Sequence, residues 1–341
     1  MDSFNAFTST LGTSLVLYVS YKLLDTARLY LRPSSLHRYR YTDASGQHSW
    51  ALVTGSSSGI GKCLAFELAD HGFNIVLHGR NPSKLEAVRD ELQATAPNTE
   101  VRILVADASQ CHRPEAVDFE RIRDELASLH LTVLINCAGA GAIPAFGALE
   151  TYGRDVILDN LHLNAAFSPL LTAALLPVLR GQYKKPTEDL RNGAVAEEPP
   201  AGPRPRGRPA LVINIGSVTD DGFPLVSFYS AGKAASHTLH KALAREAALG
   251  GWSDVEIVSH RIGAVTGVSH TQAPPTLFRP DARTVAKAIL ARTGCGRKSV
   301  VPYWPHALLQ VFLGALPVSM VDRTINKAMR RVQDEEAKKK E

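Results

Sequence analysis

The sequence predicts an α/β domain with a doubly wound parallel sheet. Three observations predict it. Short apolar runs alternate with helical patterns from Trp50 onward. The runs are mostly apolar rather than cleanly alternating, which suits strands buried on both faces of a parallel sheet. A glycine-rich stretch, 54–61, follows the first run and opens the first helical pattern. The chain is long and apolar enough to bury such a core, with 341 residues, 45% hydrophobic and 21% charged.

The elements follow in order. Residues 4–21 are 18 positions without a charge. As a helix they cover about 27 Å, just short of a ~30 Å hydrocarbon core. Lys22, Arg28, Arg32, Arg38 and Arg40 follow them. A cleavable signal would carry its positive charge first and end in small residues. The reading is an uncleaved anchor with a cytosolic basic flank, or else an amphipathic helix on the protein or membrane surface. Strands are expected at 51–54, 74–78, 101–105, 132–136, 211–215 and 255–260. Helices are expected at 60–71, 82–92, 114–128, 154–179 and 231–249. This alternation is the doubly wound pattern.

Residues 181–209 hold six prolines and mixed charges, and read as a flexible surface insertion. Residues 299–321 are 23 positions without Lys, Arg, Asp or Glu, broken by Pro302, Pro305 and Pro317. One straight spanning helix is therefore not expected there. A membrane-embedded or interfacial hairpin, a cover over the pocket and packing on the core are the readings. The organisation is thus 1–47 anchor and linker, 48–298 cofactor-binding domain, and 299–341 apolar segment with a charged tail.

Composition excludes several classes. The four cysteines, Cys63, Cys111, Cys137 and Cys295, are too few and scattered for a disulfide scaffold or zinc cluster. With 38 basic and 33 acidic residues intermixed, nucleic acid is not an expected partner. His237 and His240 lack a third metal ligand, so no metal is expected. Cys137 lacks a base partner, so it is not read as a nucleophile.

Two motifs carry chemistry. In the stretch Thr54-Gly55-Ser56-Ser57-Ser58-Gly59-Ile60-Gly61, glycine lets the backbone turn sharply and approach a pyrophosphate. The following helix N-terminus offers N–H groups to phosphates. Tyr229 and Lys233 lie four residues apart, on one helix face. A free phenol, with its pKa near ~10, is a poor acid–base catalyst at neutral pH. A nearby ammonium is expected to lower that value. Ser217, at a strand end, is suited to hold a carbonyl oxygen. Asn164, costly on an apolar helix face, is suited to hold a water in a proton relay.

With these residues, Asp107 and Asn136-Cys137-Ala138-Gly139, positions from about 48 to 270 resemble the short-chain dehydrogenase/reductase family. The resemblance implies a Rossmann-type sheet of about seven parallel strands. It implies Tyr229 as general acid, Lys233 lowering its pKa and holding the nicotinamide ribose, Ser217 orienting the carbonyl and Asn164 anchoring water. Gly55, Ser57, Ser58, Gly59, Ile60, Gly61, Asp107, Asn136, Ala138, Gly139, Val265 and Thr266 would contact or support the cofactor. The second strand ends in His78-Gly79-Arg80-Asn81. It lacks the carboxylate that holds ribose hydroxyls in NAD enzymes, and Arg80, assisted by Lys84, is suited to a 2′-phosphate. NADPH is the expected cofactor.

A narrower resemblance is to membrane-bound very-long-chain 3-oxoacyl-CoA reductases, related to certain hydroxysteroid dehydrogenases. It rests on Gly61-Lys62 leading to Phe66-Glu67-Leu68-Ala69, on 72–77, on 131–136 and on Pro302-Tyr303-Trp304-Pro305-His306-Ala307. It departs in a shorter 217–229 spacing, in Cys137 after Asn136 and in Ile262 before Gly263. The implied activity is reduction of a lipid ketone, a long-chain 3-oxoacyl-CoA first. A steroid, a sphingoid base or another lipid ketone is the alternative substrate. A non-catalytic NADPH-binding member of a membrane assembly is the alternative class. A family-type homodimer and elongation-complex partners are implied. Lys338 and Lys339 fit an endoplasmic-reticulum retrieval signal, which must face the cytosol. The catalytic domain is then cytosolic, and 299–321 should dip into the membrane or lie on it.

Overall fold

The computed structural model describes residues 2–43, 45–141, 145–183, 209–252, 254–268 and 272–337. Most of the expected insertion and the Lys338-Lys339 pair lie outside the described residues. Seven parallel strands form one sheet: β1 Trp50–Thr54, β2 Asn74–Gly79, β3 Val101–Val105, β4 Leu131–Asn136, β5 Ala210–Ser217, β6 Val255–Ile262 and β7 Ser299–Val300. Their order is β3-β2-β1-β4-β5-β6-β7. The chain reverses its direction of travel between β1 and β4, which opens a crevice at the strands' carboxyl ends.

β1, β2, β4 and β5 are buried at every position. That is why they lack a polar–apolar alternation. Helices α2 Gly59–Asp70 and α3 Pro82–Thr95 cover one face, through Leu64, Leu68, Leu85 and Leu92. Helices α4 Phe119–Leu126, α6 Phe167–Leu179 and α7 Ser227–Leu249 cover the other, through Ile122, Leu171, Leu175 and Ala247. Helix α5 Arg154–Leu161 leads into α6 through a π turn, His162–Ala166. Helix α8 Ala282–Ala291 packs on α2.

The run Arg154–Leu179 is long and apolar enough to cross a membrane, yet 39% of that apolar window is buried against the domain. One face of it, with Phe167, Leu171, Leu175 and Leu179, packs in the core. By contrast, helix α1 Asp2–Leu31 exposes Phe7, Leu11, Leu15, Leu17 and Leu23. Its C-terminal end is fastened to the domain. The Tyr30 hydroxyl donates to Val301 O at 2.6 Å, and Arg297 pairs with Asp25 at 2.6 Å. Ser34 Oγ donates to Leu290 O at 2.6 Å, and fully buried Tyr39 donates to Glu256.

Most expected element ends shift by three residues or fewer, and three differences are larger. Helix α4 begins at Phe119 rather than 114, because Asp118 caps it by accepting the Glu120 and Arg121 N–H groups at 3.0 and 2.9 Å. Helix α7 begins at Ser227 rather than 231. Residues 299–321 do not form one separate segment. Ser299 and Val300 pair with β6, and helices α9 Trp304–Gly314 and α10 Val318–Ala337 follow.

His78, His240 and His260 are all almost fully buried in this core. Loss of water pushes their pKa values down to about 4, about 4 and about 3. The unfolded chain binds these protons near pH ~6.5 and the folded chain does not. Their contribution is complete above that pH and is lost as pH falls toward 4. Each group costs up to about 1.4 kcal/mol per pH unit in that window. The urea midpoint should therefore fall steadily from pH 7 to 5. His260→Leu, which removes a ring whose two nitrogens have no hydrogen-bond partner among the described residues, should make that fall shallower. A midpoint independent of pH would contradict the assignment.

Candidate active site

Ser217 is the last residue of β5 and caps a short 3-10 turn, Val218–Asp221. Its Oγ accepts from Thr219 N at 3.2 Å and Thr219 Oγ1 at 2.9 Å. Tyr229 and Lys233 lie on consecutive turns at the start of α7. Lys233 is buried, donates from Nζ to Ile215 O at 3.0 Å, and sits 5.8 Å from the centre of the Tyr229 ring. Ser217, Tyr229 and Lys233 thus share the carboxyl edge of the sheet.

Asn164 joins them through the π turn. Its side-chain amide donates to Ala140 O at 2.9 Å and to Asn160 O and Oδ1, both at 3.0 Å. Its Oδ1 is buried and has no hydrogen-bond partner among the described residues. A side chain at Gly139 would meet Lys233 Nζ at 2.5 Å and Asn164 Oδ1 at 2.8 Å. Those two polar atoms therefore converge on one point beside Gly139.

The electrostatics differ from the sequence expectation. Loss of water pushes the Tyr229 phenol up to about 12, with the Ser217 hydrogen bond acting against it. Loss of water also pushes the Lys233 ammonium down to about 8. Spacing alone puts an ammonium near a phenol; loss of water at buried Lys233 and half-buried Tyr229 acts against that charge. At neutral pH Tyr229 keeps its proton and Lys233 is mostly charged. This pair is set to donate a proton.

The glycine loop lies at the other side of the crevice. Gly55 has a φ of 67°, and a side chain at Gly61 would meet Gly55 O at 2.3 Å. Ser58 precedes α2 without a side-chain cap, so the first N–H groups, at Gly59, Ile60 and Gly61, remain available to an anion. Ser57 is half-buried and Ser58 exposed, whereas Ser56 turns inward to bond with the His78 backbone. Thr54 Oγ1 accepts from Cys137 N at 2.8 Å and Ala138 N at 2.9 Å, bringing the end of β4 under the loop.

Residues 262–268 close the crevice. Ile262 is in register with Ser217, and Val268 Cγ1 lies 3.3 Å from where a Gly59 side chain would begin. Val265 and Thr266 are buried between these points. An anion-receptive helix end, a backbone cradle and an orphaned Asn164 oxygen fit a nicotinamide dinucleotide laid across the sheet edge.

The remaining predicted residues sit at the margins. Arg80 and Lys84 are exposed after β2, and Asn81 caps α3. Asp107 Oδ1 accepts from Ser109 N and Oγ at 3.0 and 2.8 Å. Asn136 points its amide into the core, to Thr172 Oγ1 at 2.7 Å and His240 Nε2 at 3.3 Å. Its side chain braces helices rather than facing the crevice. His237 is likewise bound to Ser259 Oγ at 2.8 Å. Cys137 is pushed up to about 12 by burial, which leaves it an inert thiol at neutral pH.

Sequence reasoning missed two contributors. His78 Nδ1 accepts from Gly55 N at 3.4 Å, and its ring stacks on Phe167 at 5.1 Å. A histidine ending an apolar strand was the available signal. Asn160 Nδ2 donates to Ala140 O at 3.0 Å, sharing the carbonyl that holds Asn164. A separate cleft of about 630 Å³ opens between Asp220, Phe223 and Ser227 and the α10 residues Asp322, Ile325 and Asn326. It adjoins the 217–229 loop without containing Ser217, Tyr229 or Lys233.

The family model described as short chain dehydrogenase matches residues 49–184. A very-long-chain 3-oxoacyl-CoA reductase-like protein of Arabidopsis thaliana is 30% identical over 90% of this chain and 87% of its own length. A Caenorhabditis elegans protein whose name suggests a steroid dehydrogenase is 27% identical over 97% of this chain and 96% of its own. A solved 7beta-hydroxysteroid dehydrogenase superposes with a TM-score of 0.64, at 18% identity, over 85% of this chain and 99% of its own.

Gly61→Ala should weaken binding of a nicotinamide dinucleotide by about tenfold or more, the cost of losing a charge-assisted contact. Cofactor fluorescence measures the affinity, and circular dichroism checks the fold. Unchanged affinity would contradict the cradle.

Proposed function

The chain belongs to the short chain dehydrogenase family of NAD(P)-dependent oxidoreductases, and from that premise we propose that it reduces the ketone of a lipid-chain substrate. The observation that carries this reading is Tyr229 beside Ser217 and Lys233 at the sheet edge that also holds the anion-receptive glycine loop. NADPH, when bound, supplies a hydride to the carbonyl carbon. Ser217 Oγ holds the carbonyl oxygen, and Tyr229 gives that oxygen its proton. Lys233 stabilises the phenolate left behind, through a charge retained at neutral pH. Asn164 Oδ1 accepts from a water that returns a proton to the Lys233 side.

The substrate favoured is a long-chain 3-oxoacyl-CoA, reduced to the 3-hydroxyacyl-CoA in fatty-acid elongation. The Arabidopsis relative's name and the exposed apolar side chains of α1 support this. A substrate whose chain partitions into lipid suits an enzyme held at a membrane. The location proposed is the endoplasmic-reticulum membrane, with the catalytic domain on the cytosolic side, where Arg28, Arg32 and Arg38 would lie. The steroid-like name of the Caenorhabditis elegans relative favours a ketosteroid as second reading. Arg80 is exposed and makes no ion pair among the described residues, which supports NADPH over NADH.

Detergent-purified protein should oxidise NADPH with a long-chain 3-oxoacyl-CoA, and Tyr229→Phe should lose about a hundredfold or more of that rate. No turnover of the thioester alongside turnover of a ketosteroid would move the assignment to the second reading. Arg80→Ala should weaken NADPH binding by about tenfold and leave NADH binding unchanged. Equal loss for both cofactors would contradict the 2′-phosphate role.

A further inference from the structure

Helix α9 is an apolar helix with little hold on the domain. Leu308, Val311 and Phe312 are 56%, 69% and 60% exposed. Its buried residues are Pro305 and His306, both in the first turn. A buried histidine is a costly choice at this place, since an apolar side chain would fill the space without a polar group to satisfy.

The His306 ring touches the crevice wall at two points. It lies flat against Gly263, where a side chain would meet Nδ1 at 2.7 Å, Cγ at 2.8 Å and Cε1 at 2.9 Å. Its Nε2 donates to Phe278 O at 3.2 Å. Nδ1 makes no hydrogen bond of ordinary geometry among the described residues, while the Ala264 carbonyl next to Gly263 acts on the ring together with that of Phe278. Tyr303 packs edge-on against the ring at 5.1 Å and fixes its plane. Burial holds the ring's pKa below its usual value, against the pull of the Phe278 and Ala264 carbonyls.

Those two points belong to the outgoing and returning arms of one loop. The outgoing arm leaves β6 beside Ser217, through Gly263, and runs to the glycine loop at Val268. The returning arm passes Phe278 and Pro280, whose carbonyl accepts from Thr266 N at 2.9 Å. Leu277 and Phe278 stay 53% and 48% exposed on that arm. Three residues before α9, the Val301 carbonyl accepts from Tyr30 of α1. The segment leading into α9 therefore touches the exposed apolar helix α1, and the first turn of α9 touches the wall of the crevice.

We infer that His306 is a positioning residue that clamps the two arms of the crevice wall, 263–268 and 272–281, to the start of α9, and so sets the substrate side of the crevice. The inference rests on the reading of that crevice as the ketone-reducing site. The cofactor side is held separately, by Thr266 on Pro280 and by Val268 against Gly59. Loss of the clamp therefore acts on the ketone and spares the dinucleotide. It also gives the Pro-His pair at the head of α9 a purpose that packing alone does not.

The test uses the full chain in detergent, as His306→Leu, His306→Gln and Gly263→Ala. His306→Gln keeps a side-chain N–H that reaches Phe278 O. Gly263→Ala leaves the histidine in place but pushes its ring off the wall. His306→Leu and Gly263→Ala should raise KM for the ketone by about tenfold, with kcat and NADPH affinity within about twofold. Amide exchange across 272–281 should speed by about tenfold in both, with α8 unchanged as internal reference. His306→Gln should restore most of both. If exchange across 272–281 is unchanged in His306→Leu and Gly263→Ala, the clamp is overturned, whatever ketone the enzyme uses. If His306→Gln is as impaired as His306→Leu, the hydrogen bond is overturned as the cause. If wild type turns over no ketone while the exchange differences stand, the substrate reading fails and the clamp survives.

Discussion

The burial of Lys233, with half-buried Tyr229 beside it, is the constraint on which the rest of the site depends. Burial acts on them in opposite directions, because it penalises whichever form is charged. It raises the phenol to about 12 and lowers the ammonium to about 8. The result is a protonated donor next to a cation that still carries most of its charge at neutral pH. Reduction needs this state, since the proton must be present before the carbonyl oxygen gains charge.

The fold supplies the burial. Parallel strands covered on both faces bring their carboxyl ends to one edge, and α7 begins where β5 ends. The π turn 162–166 is the local irregularity that completes the site. It turns Asn164 so that its amide is saturated by Ala140 and Asn160 while its Oδ1 stays without a partner among the described residues, next to Gly139. A regular helix through the same residues would shift the register of every following side chain; π insertions are often found at functional sites for this reason. Lys233 is meanwhile held to Ile215 O, so its position is set by the strand and not by the phenol.

Much of this was legible in the residues. Apolar runs and helical periods mark six of the seven strands, because buried parallel strands carry a strong composition signal. β7 is two residues long, and no period can show in so short a strand. The 54–61 loop and the Tyr229, Lys233 and Ser217 set were readable because their spacing has a chemical reason. The π turn was not, since hydropathy reads 154–179 as one continuous helix. The sign of the Tyr229 shift was not either. Spacing says that two groups are near each other, whereas the dielectric around them comes from residues far away in the chain. Asn136 shows the same limit. It lies at the expected strand end, yet the core offers its amide Thr172 and His240, and it turns inward.

The account stands or falls on the protonation of Tyr229. The direct measurement is an ultraviolet phenolate titration of the wild-type protein minus that of Tyr229→Phe, which isolates one tyrosine among nine. No ionisation of Tyr229 is expected up to about pH 10, since a pKa of about 12 leaves the phenol intact there. Ionisation near pH 7 would contradict it. It would mean that the Lys233 charge, and not the loss of water, governs the site.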